Sequence, residues 1–442
     1  MMRPGFPIGL LLCGVGLGAC SSGSMGPVRA GGAGDGGGAG MSGEAGSSAG
    51  AGRSGNTASA GSAGNAGSLG RAGAGAAGDV GLAGGAGSGS GGTGASGAGA
   101  GSAGQSSAGA GQSGAGAAPV GPHFIGRFDQ SKPDAPVFAW PGTAISLRFT
   151  GTAIGVTLSD NGNNVFEVVL DGTHTVLALK AGMNKYALGS GLAAGAHELL
   201  LYRRTEASFN ETTFNGFDVA SSAYLASSVP TRRLEVIGDS ISAGYGNEGV
   251  YPCQFTAATE NQYLSYEAIA ARAVNAELYT EAWSGIGMLH NYDGTTTGVM
   301  PERYPRTLPE RATSTWDFDK FVPDAVVINL GSNDFSTGDP GAAFQTAYLK
   351  FVSDLRVHYP SARFFLALGP MLSGDSYNQA AAYLKAVIAA RATAGDKNLT
   401  FLEFGTQDTN ADGIGCDYHP SLKTHQKMAD KLQAALKADL GW

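Results

Sequence analysis

The sequence predicts two folded domains of different class, an all-β jelly roll at 121–228 and a three-layer α/β/α domain of flavodoxin-like topology at 229–442. Three observations support this prediction. Glycine, with 72 residues, is concentrated before residue 120. Short runs in which apolar and polar residues alternate then extend to about residue 226. From residue 230 onward, apolar strands alternate with helical segments.

The first twenty residues, 1–20, have the features of an export signal. Arg3 gives a short positive region, and residues 6–17 are apolar but too few to anchor the chain across a bilayer. They lead into Leu17-Gly18-Ala19-Cys20, which resembles a bacterial lipobox, so we expect Cys20 to be lipidated and to become the mature N-terminus. The alternative is an ordinary signal peptide. We expect an exported protein that is lipid-anchored at the cell surface or outer membrane, or secreted.

Residues 21–120 form a linker of Gly, Ala and Ser with scattered polar residues. It has almost no large apolar side chain to bury and cannot offset its conformational entropy, so we expect a disordered, flexible tether.

Only 14% of all residues are charged, and the net charge of -8 includes no basic cluster. This composition argues against nucleic acid, since phosphate binding requires clustered Lys and Arg. We expect a monomer whose only membrane contact is the lipid at Cys20.

The four cysteines separate into two groups. Cys13 and Cys20 belong to the predicted signal, and Cys253 and Cys416 lie in the second domain. In an exported, oxidising setting we expect Cys253 and Cys416 to form a disulfide, with two buried free thiols as the alternative. The chain has no Cys-x-x-Cys pair and no cluster of His and carboxylates with ligand spacing. We therefore expect neither a metal nor any other cofactor.

The jelly-roll prediction depends on short, regularly punctuated strands. Apolar and polar residues alternate at 144–149 and 154–158, and the run at 165–170 ends at Asp171-Gly172, a strong turn signal. Residues 198–202 form a further run of this kind. Short strands separated by turns over about a hundred residues are typical of a β-sandwich or jelly roll.

The second domain has the alternation of strands and helices that produces a parallel sheet with helices on both faces. Residues 325–330 are almost continuously apolar, as expected for a strand buried on both sides. Further strands are predicted at 234–237, 278–282, 363–368 and 399–404, and helices at 263–274, 342–357, 380–392 and 422–440. Ligands of such sheets bind at the carboxyl ends of the strands, so we expect the chemistry there.

Four polar motifs stand at this predicted edge of the sheet. Gly238-Asp239-Ser240 places a serine between a strand and a helix, where it suits a nucleophile, and Trp283-Ser284-Gly285 offers backbone N–H groups. Gly331-Ser332-Asn333-Asp334 supplies a side-chain amide for an oxyanion, and Cys416-Asp417-Tyr418-His419 supplies a base for the serine proton. Each motif alone also fits an ordinary turn. Their common location predicts a catalytic site.

These motifs resemble the four blocks of the SGNH/GDSL hydrolases. In that family the serine is the nucleophile of ester hydrolysis. Its own N–H, the block Gly and the block Asn form the oxyanion hole, and the terminal His is the base. The resemblance therefore implies Ser240 as nucleophile and His419 as base, with Ser240, Gly285 and Asn333 around the oxyanion.

A more specific likeness covers about residues 122–442. Phe124-Ile125-Gly126-Arg127-Phe128 and Ala139-Trp140-Pro141-Gly142 resemble the N-terminal jelly roll of carbohydrate esterase family 2, and residues 238–249, GDSISAGYGNEG, resemble its nucleophile block. That family removes O-acetyl groups from plant cell-wall polysaccharides and sugars, often at the primary 6-hydroxyl. The resemblance implies an acetyl esterase that acts on an acetylated polysaccharide or oligosaccharide.

One position departs from the SGNH pattern. The triad aspartate of most SGNH enzymes lies three residues before the histidine, where this chain has Cys416, whereas Asp417 lies two before. Either the Asp417 carboxylate orients His419 as the third member of a triad, or a backbone carbonyl does so in a Ser-His dyad.

Several further side chains are candidates for the cleft. Trp283, Trp316 and Tyr292 have aromatic faces that suit the C–H surface of a pyranose, with a place in the core as the alternative. His425 lies on the last predicted helix, where we expect it to be exposed.

Two other functions remain open at this point, because fold does not settle substrate. The first is a lipase, thioesterase or peptidoglycan O-acetylesterase on the same scaffold. The second is a non-catalytic surface protein that binds glycan. The presence of Ser240, Gly285, Asn333 and His419 favours an enzyme.

Overall fold

The computed structural model describes residues 120–219 and 223–442. All of these residues lie in one compact unit, Gln105–Trp442. The predicted signal peptide, the lipidation of Cys20 and the linker fall outside the described residues. Among the helices that are described, none is both long enough and apolar enough to cross a membrane.

The N-terminal β domain is a sandwich of two five-stranded antiparallel sheets. Its strands are β1 (His123–Ile125), β2 (Phe128–Asp129), β3 (Val137–Phe138), β4 (Ala144–Thr150), β5 (Ala153–Asp160), β6 (Val165–Leu170), β7 (Thr173–Ala178), β8 (Gly182–Ser190), β9 (Ala196–Arg203) and β10 (Thr212–Val219). The sheet orders are β1-β4-β9-β6-β7 and β2-β3-β10-β5-β8. Alternation builds the core, since Ile154, Val156 and Leu158 of β5 are buried between partly exposed neighbours.

The second domain contains a five-stranded parallel sheet of order β12-β11-β13-β14-β15. Its strands are β11 (Arg232–Gly238), β12 (Ala276–Ala282), β13 (Ala325–Asn329), β14 (Arg363–Leu368) and β15 (Leu399–Glu403). The helices are α1 (Ser240–Ala243), α2 (Tyr266–Ala273), α3 (Met300–Arg303), α4 (Gly341–His358), α5 (Gly374–Thr393), α6 (Thr409–Asp412) and α7 (Leu422–Leu440).

Two apolar cores, one on each face of this sheet, make the domain three-layered. Val326 and Ile328 of β13 belong to the core that includes α4 and α5. Val327 points the other way, into the core that includes α2 and α7. The predicted fold class is therefore confirmed. The strand order reverses at β11, so the crevice for a ligand opens where β11 and β13 end.

A buried arginine joins the two domains. Arg127, in the turn between β1 and β2, is fully buried, and its guanidinium contacts carboxylates of two strands of the parallel sheet. Nη2 lies 3.0 Å from Oε1 of Glu235 on β11, and Nε lies 2.9 Å from Oε1 of Glu281 on β12. Burial raises the pKa of Glu281 well above its ordinary value. One guanidinium thus serves two buried carboxyl groups, and its loss would leave both unpaired.

Candidate active site

Ser240 stands at the junction between β11 and α1. The preceding Asp239 caps the helix, because its Oδ1 accepts a hydrogen bond of 3.0 Å from the Ile241 N–H. Gly238 has no room for a side chain, since an added Cβ would collide with Ser242. This tight turn leaves the Ser240 side chain 6% exposed, at the carboxyl end of the strand. The serine is held where a nucleophile is required.

His419 contacts Ser240 directly. Its Nε2 lies 2.8 Å from the serine Oγ, and its Nδ1 lies 3.1 Å from the backbone carbonyl oxygen of Asp417. A carbonyl can only accept, so Nδ1 carries the proton and Nε2 is left free to accept the Ser240 hydroxyl proton. Burial lowers the pKa of His419 to about 4. The imidazole is therefore neutral, and able to act as a base, at neutral pH.

The carboxylate of Asp417 has a different task from the one a catalytic triad would require. Its Oδ2 accepts a hydrogen bond of 3.0 Å from the Tyr245 hydroxyl and one of 3.1 Å from the Phe255 N–H. Asp417 and Tyr418 both have left-handed backbone, with φ of 50° and 65°. This sparsely allowed turn directs the Asp417 carbonyl at the imidazole. Of the two predicted arrangements, the geometry is that of a dyad oriented by a backbone carbonyl.

The disulfide between Cys253 and Cys416 anchors the histidine loop. The two Cα atoms are 4.8 Å apart across a sequence separation of 163 residues. The Cys416 N–H donates to the Gly246 carbonyl at 2.9 Å. A Cβ at Gly246 would come within 2.7 Å of the Cys416 Cβ, and one at Gly249 would collide with the disulfide. The glycines after the nucleophile thus allow the His419 loop to pack against them.

A stack of two aromatic rings supports the face of the imidazole, and neither ring was predicted from the sequence. The ring centroid of Tyr245 lies 4.1 Å from that of His419, at an interplanar angle of 30°. Phe255 stacks on the other side of Tyr245, 3.7 Å away and nearly parallel at 9°. The only signal in the sequence was the aromatic residue within the nucleophile block. The stack fixes the ring plane of the base.

The candidate oxyanion donors lie on two loops. Gly285 has a φ of 78°, which favours glycine, and neither its N–H nor that of Ser240 has a partner among the described residues. The Asn333 Nδ2 donates to the Ile286 carbonyl at 3.0 Å and lies 3.4 Å from Oδ2 of Asp239. Because the contact with Asp239 is long, the second amide proton is available to a stronger acceptor.

Asp239 and Asp334 are buried acidic residues that contact the loops of the oxyanion donors. Burial raises the pKa of Asp239 to about 7, with the nearby Asp334 carboxylate acting in the same direction. Asp334 accepts three backbone N–H groups of the loop after β12, from Met288 at 3.0 Å, Leu289 at 2.6 Å and His290 at 2.9 Å. Asp334 is thus a local hydrogen-bond acceptor that shapes the Gly285 loop.

The structure separates the three predicted aromatic contacts. Trp283 and Trp316 are each only 7% exposed. The Arg303 guanidinium covers the Trp283 ring at 4.2 Å, and Trp316 packs beside Arg127 at the domain boundary. Burial of both indoles favours the core alternative, and their predicted sugar contact stays a prediction. Tyr292 is 69% exposed and keeps its position beside the Gly285 loop, so its predicted role stays open.

An exposed tyrosine pair beside the base was not predicted. Tyr251 and Tyr418 have ring centroids 4.7 Å apart, and their hydroxyl oxygens are 2.7 Å apart. Both are substantially exposed, and Tyr418 immediately precedes His419.

Over residues 120–219 and 223–442, no group of three or more His, Cys, Asp or Glu side chains is placed to hold a metal ion.

Two family models match the chain. The model of the carbohydrate esterase 2 N-terminal domain matches residues 124–228, and that of the GDSL-like lipase/acylhydrolase family matches residues 236–427. The first match falls on the antiparallel domain and the second on the parallel one. The second match also includes Ser240, Gly285, Asn333 and His419.

Solved and curated relatives share both domains. A family two carbohydrate esterase from Clostridium thermocellum, in complex with cellohexaose, is 45% identical, with a TM-score of 0.70 over 73% of this chain and 100% of that one. The cellulase/esterase CelE of Acetivibrio thermocellus is 45% identical over 321 residues, 72% of this chain and only 39% of that longer protein. An acetylxylan esterase/glucomannan deacetylase of Cellvibrio japonicus is 26% identical over 329 residues, 73% of this chain and 90% of that protein.

The parallel sheet and the serine–histidine contact at its carboxyl edge define a hydrolase of the SGNH class. Within this class, the chain belongs to carbohydrate esterase family 2, since its two domains together match the family two esterase of Clostridium thermocellum at 45% identity over the full length of that structure. The members of this family are carboxylic ester hydrolases.

Proposed function

We propose that this protein is an exported esterase that removes O-acetyl groups from a polysaccharide through an acetyl-Ser240 intermediate. The observation that carries the proposal is the 2.8 Å contact between Ser240 Oγ and a neutral His419 Nε2, with Nδ1 held by the Asp417 carbonyl. This arrangement has a nucleophile, a base and a group that fixes the tautomer of the base.

The first half of the reaction forms the acyl-enzyme. Ser240 Oγ attacks the acetyl carbonyl carbon while His419 Nε2 takes the hydroxyl proton. The carbonyl oxygen becomes an oxyanion, which accepts hydrogen bonds from the N–H groups of Ser240 and Gly285 and from the Asn333 amide. When the tetrahedral intermediate collapses, the bond to the sugar oxygen breaks. The sugar leaves as an alcohol with the proton from His419.

The second half reverses the roles. A water molecule attacks the acetyl carbon of acetyl-Ser240 and gives a proton to His419 Nε2. The same donors stabilise the second oxyanion, and its collapse breaks the bond to Ser240 Oγ. The serine recovers its proton from the imidazolium, and acetic acid is released, which ionises to acetate in neutral solution. Each half-reaction thus needs the imidazole to be neutral at its start.

A glycan substrate is supported from two directions. Two relatives carry names that specify acetylxylan and glucomannan, and another was solved with a bound cellohexaose. In this chain the exposed pair Tyr251 and Tyr418 presents aromatic surface next to His419, with Tyr292 near the Gly285 loop. Aromatic faces suit the C–H surface of a pyranose. We extend the proposal to plant cell-wall glycans, with the acetylated primary 6-hydroxyl as the favoured position.

Export and lipid anchoring are the second part of the proposal. The apolar segment 6–17 and Cys20 support a lipoprotein signal. The Cys253–Cys416 disulfide also supports it, because such bonds persist in oxidising compartments. We propose a monomer on a long tether, lipid-anchored at the cell surface or outer membrane.

Acetate release from acetylated glucomannan and acetylated xylan tests the substrate class. Nitrophenyl esters of increasing chain length should be measured beside them. We expect acetate release from at least one polysaccharide and a sharp fall in rate beyond short acyl chains. A preference for long chains would instead indicate a lipase or thioesterase. Binding of both polysaccharides without hydrolysis of any ester would indicate a non-catalytic glycan-binding protein.

A further inference from the structure

A short segment of the β domain, residues 204–210, contacts the Gly285 loop directly and connects to the His419 base through a stack of aromatic rings. The segment connects β9 to β10 and contains the short 3-10 helix Ala207–Phe209. Glu206 is 2% exposed, and its Oε2 accepts a hydrogen bond of 2.6 Å from the Ser284 N–H. Ser284 immediately precedes Gly285, a proposed oxyanion donor. A side chain of the first domain thus holds a catalytic loop of the second.

The other anchors of this loop come from the hydrolase domain itself. The Trp283 N–H donates to the Gly238 carbonyl at 3.4 Å, and the Gly285 carbonyl accepts from the Tyr292 N–H at 2.8 Å. The Ile286 carbonyl accepts from Asn333 at 3.0 Å. The Ser284 N–H is therefore the point at which a carboxylate of the β domain hydrogen-bonds the loop, and the next N–H along the chain is that of Gly285.

Glu206 is itself held in one position. Its Oε1 accepts a hydrogen bond of 2.8 Å from the Ser208 hydroxyl. Its backbone N–H donates to Oε2 of the buried Glu260 at 3.0 Å, and its carbonyl accepts from Nη2 of the buried Arg203 at 3.0 Å. A buried residue whose side chain and backbone are both hydrogen-bonded holds the group that it binds in one place.

The same segment also supports the base. The Phe209 ring lies 5.7 Å from that of Phe255, which stacks on Tyr245, and Tyr245 stacks on His419. The nucleophile's oxyanion loop and the imidazole are thus both in contact, directly or through one ring stack, with residues 206–209.

We propose that Glu206 is a positioning residue for the oxyanion hole, and that the β domain completes the active site through it. By holding the Ser284 N–H, Glu206 sets the direction of the Gly285 N–H towards the developing oxyanion. The inference rests on the proposed esterase function. It goes beyond it, because it makes catalysis in one domain depend on a carboxylate of the other.

Without Glu206 we expect weaker stabilisation of the transition state, with little effect on substrate binding. A donor that is displaced by about 1 Å can cost on the order of 10²-fold in rate, and an oxyanion donor acts on the transition state more than on the bound substrate. Removing the Glu206 acceptor should therefore lower kcat while leaving KM nearly unchanged.

The test compares three variants of the full chain with the parent. Glu206→Ala removes the acceptor, Glu206→Gln keeps a carbonyl oxygen at the same reach, and Glu211→Ala is the matched control. Glu211 also lies on the β domain and binds the hydrolase domain, through Nε of Arg311 at 2.8 Å, without touching the Ser284–Gly285 loop. Each protein is assayed on 4-nitrophenyl acetate, and amide hydrogen exchange is followed in residues 283–287.

We expect Glu206→Ala to lower kcat roughly 10- to 100-fold with KM within about twofold, and to speed exchange at 283–287. Glu206→Gln should recover most of kcat, and Glu211→Ala should match the parent in both readouts. Unchanged exchange and kcat in Glu206→Ala would overturn the proposal, as would an equal loss in Glu211→Ala.

If Glu206→Ala fails to fold, Glu206→Asp, which retracts the carboxylate, replaces it with the same expected losses. An inactive parent would overturn the esterase function, while the exchange data would still decide whether Glu206 holds the loop.

Discussion

The Nε2 atom of His419 lies 2.8 Å from Oγ of Ser240, although 179 positions separate the two residues in the chain. The backbone carbonyl of Asp417 holds the other side of the same ring, at 3.1 Å from Nδ1. This arrangement makes the base independent of any third acidic side chain. It leads to specific expectations for pH, for Asp417 and for the disulfide beside it.

On the acidic side of its pH profile, the enzyme should lose activity only at an unusually low pH. Activity needs neutral His419, and burial lowers its pKa to about 4. Activity is therefore present above this pKa and lost as the pH falls through it. We expect kcat/KM, which reports the free enzyme, to stay level down to about pH 5 and to reach half its plateau at about pH 4. Circular dichroism should show that the fold persists over this range. A midpoint close to 6.5 would mean that the imidazole is not buried as described.

Asp417→Asn should be a mild variant. The carbonyl that orients His419 belongs to the backbone and stays in place, while the side chain loses charge only in its bonds with Tyr245 and Phe255. We expect kcat to fall less than about tenfold, whereas loss of a true triad aspartate costs about 10⁴-fold. Steady-state kinetics should compare this loss of kcat with that of His419→Ala, which should be nearly inactive. A loss of the triad size in Asp417→Asn would show that the carboxylate is the orienting group.

Loss of the disulfide should affect both stability and catalysis. Cys253 and Cys416 close a long loop, and Cys416 is three residues from His419. We expect the Cys253→Ala/Cys416→Ala double variant to lose about 2–4 kcal/mol in the free energy of unfolding. Its kcat should fall because the His419 loop loses an anchor. The reduced parent is the matched comparison and should behave alike. Full activity in both would show that the backbone bonds of the loop suffice.

Arg127→Met should destabilise the protein in a pH-dependent way. Without Arg127, Glu235 and Glu281 are buried carboxylates with no cation, and such a loss costs about 3–5 kcal/mol. Burial raises the pKa of Glu281, so the folded variant binds protons more tightly than the unfolded chain. Its stability deficit should shrink as the pH is lowered from 8 to 5.

Urea unfolding at several pH values measures this deficit, and Arg148→Met is the control. Arg148 is largely exposed in its ion pair with Glu198 and should change stability by less than about 0.5 kcal/mol. A deficit that does not vary with pH would mean that the Glu281 carboxyl group is already neutral in the parent.

The elements that follow from local pattern were predictable from the sequence. The final helix is observed at Leu422–Leu440, as predicted, and the apolar run at 325–330 contains the fully buried strand β13. Periodicity and burial are encoded residue by residue in such segments. His425 was predicted to be exposed but is fully buried, and its Nδ1 accepts the Tyr266 N–H at 3.2 Å. This error was avoidable, because His425 shares a helical face with Met428, Ala429 and Leu432.

The features that were missed depend on contacts between distant parts of the chain. The Tyr245–Phe255 stack supports His419, which is far away in the chain. The turn of the Asp417 carbonyl requires a positive φ at two successive residues, which composition does not reveal. Trp283 and Trp316 have the chemistry of sugar contacts and differ from Tyr292 only in burial. Glu206 belongs to a domain for which the sequence predicted no catalytic role.

The measurement that tests the central claim most directly is acetate release from acetylated glucomannan by the parent, Ser240→Ala and His419→Ala. The account predicts release by the parent and a loss of at least about 10³-fold in each variant, with the folded state verified for all three. Release by Ser240→Ala at the rate of the parent would contradict the claim that Ser240 is the nucleophile.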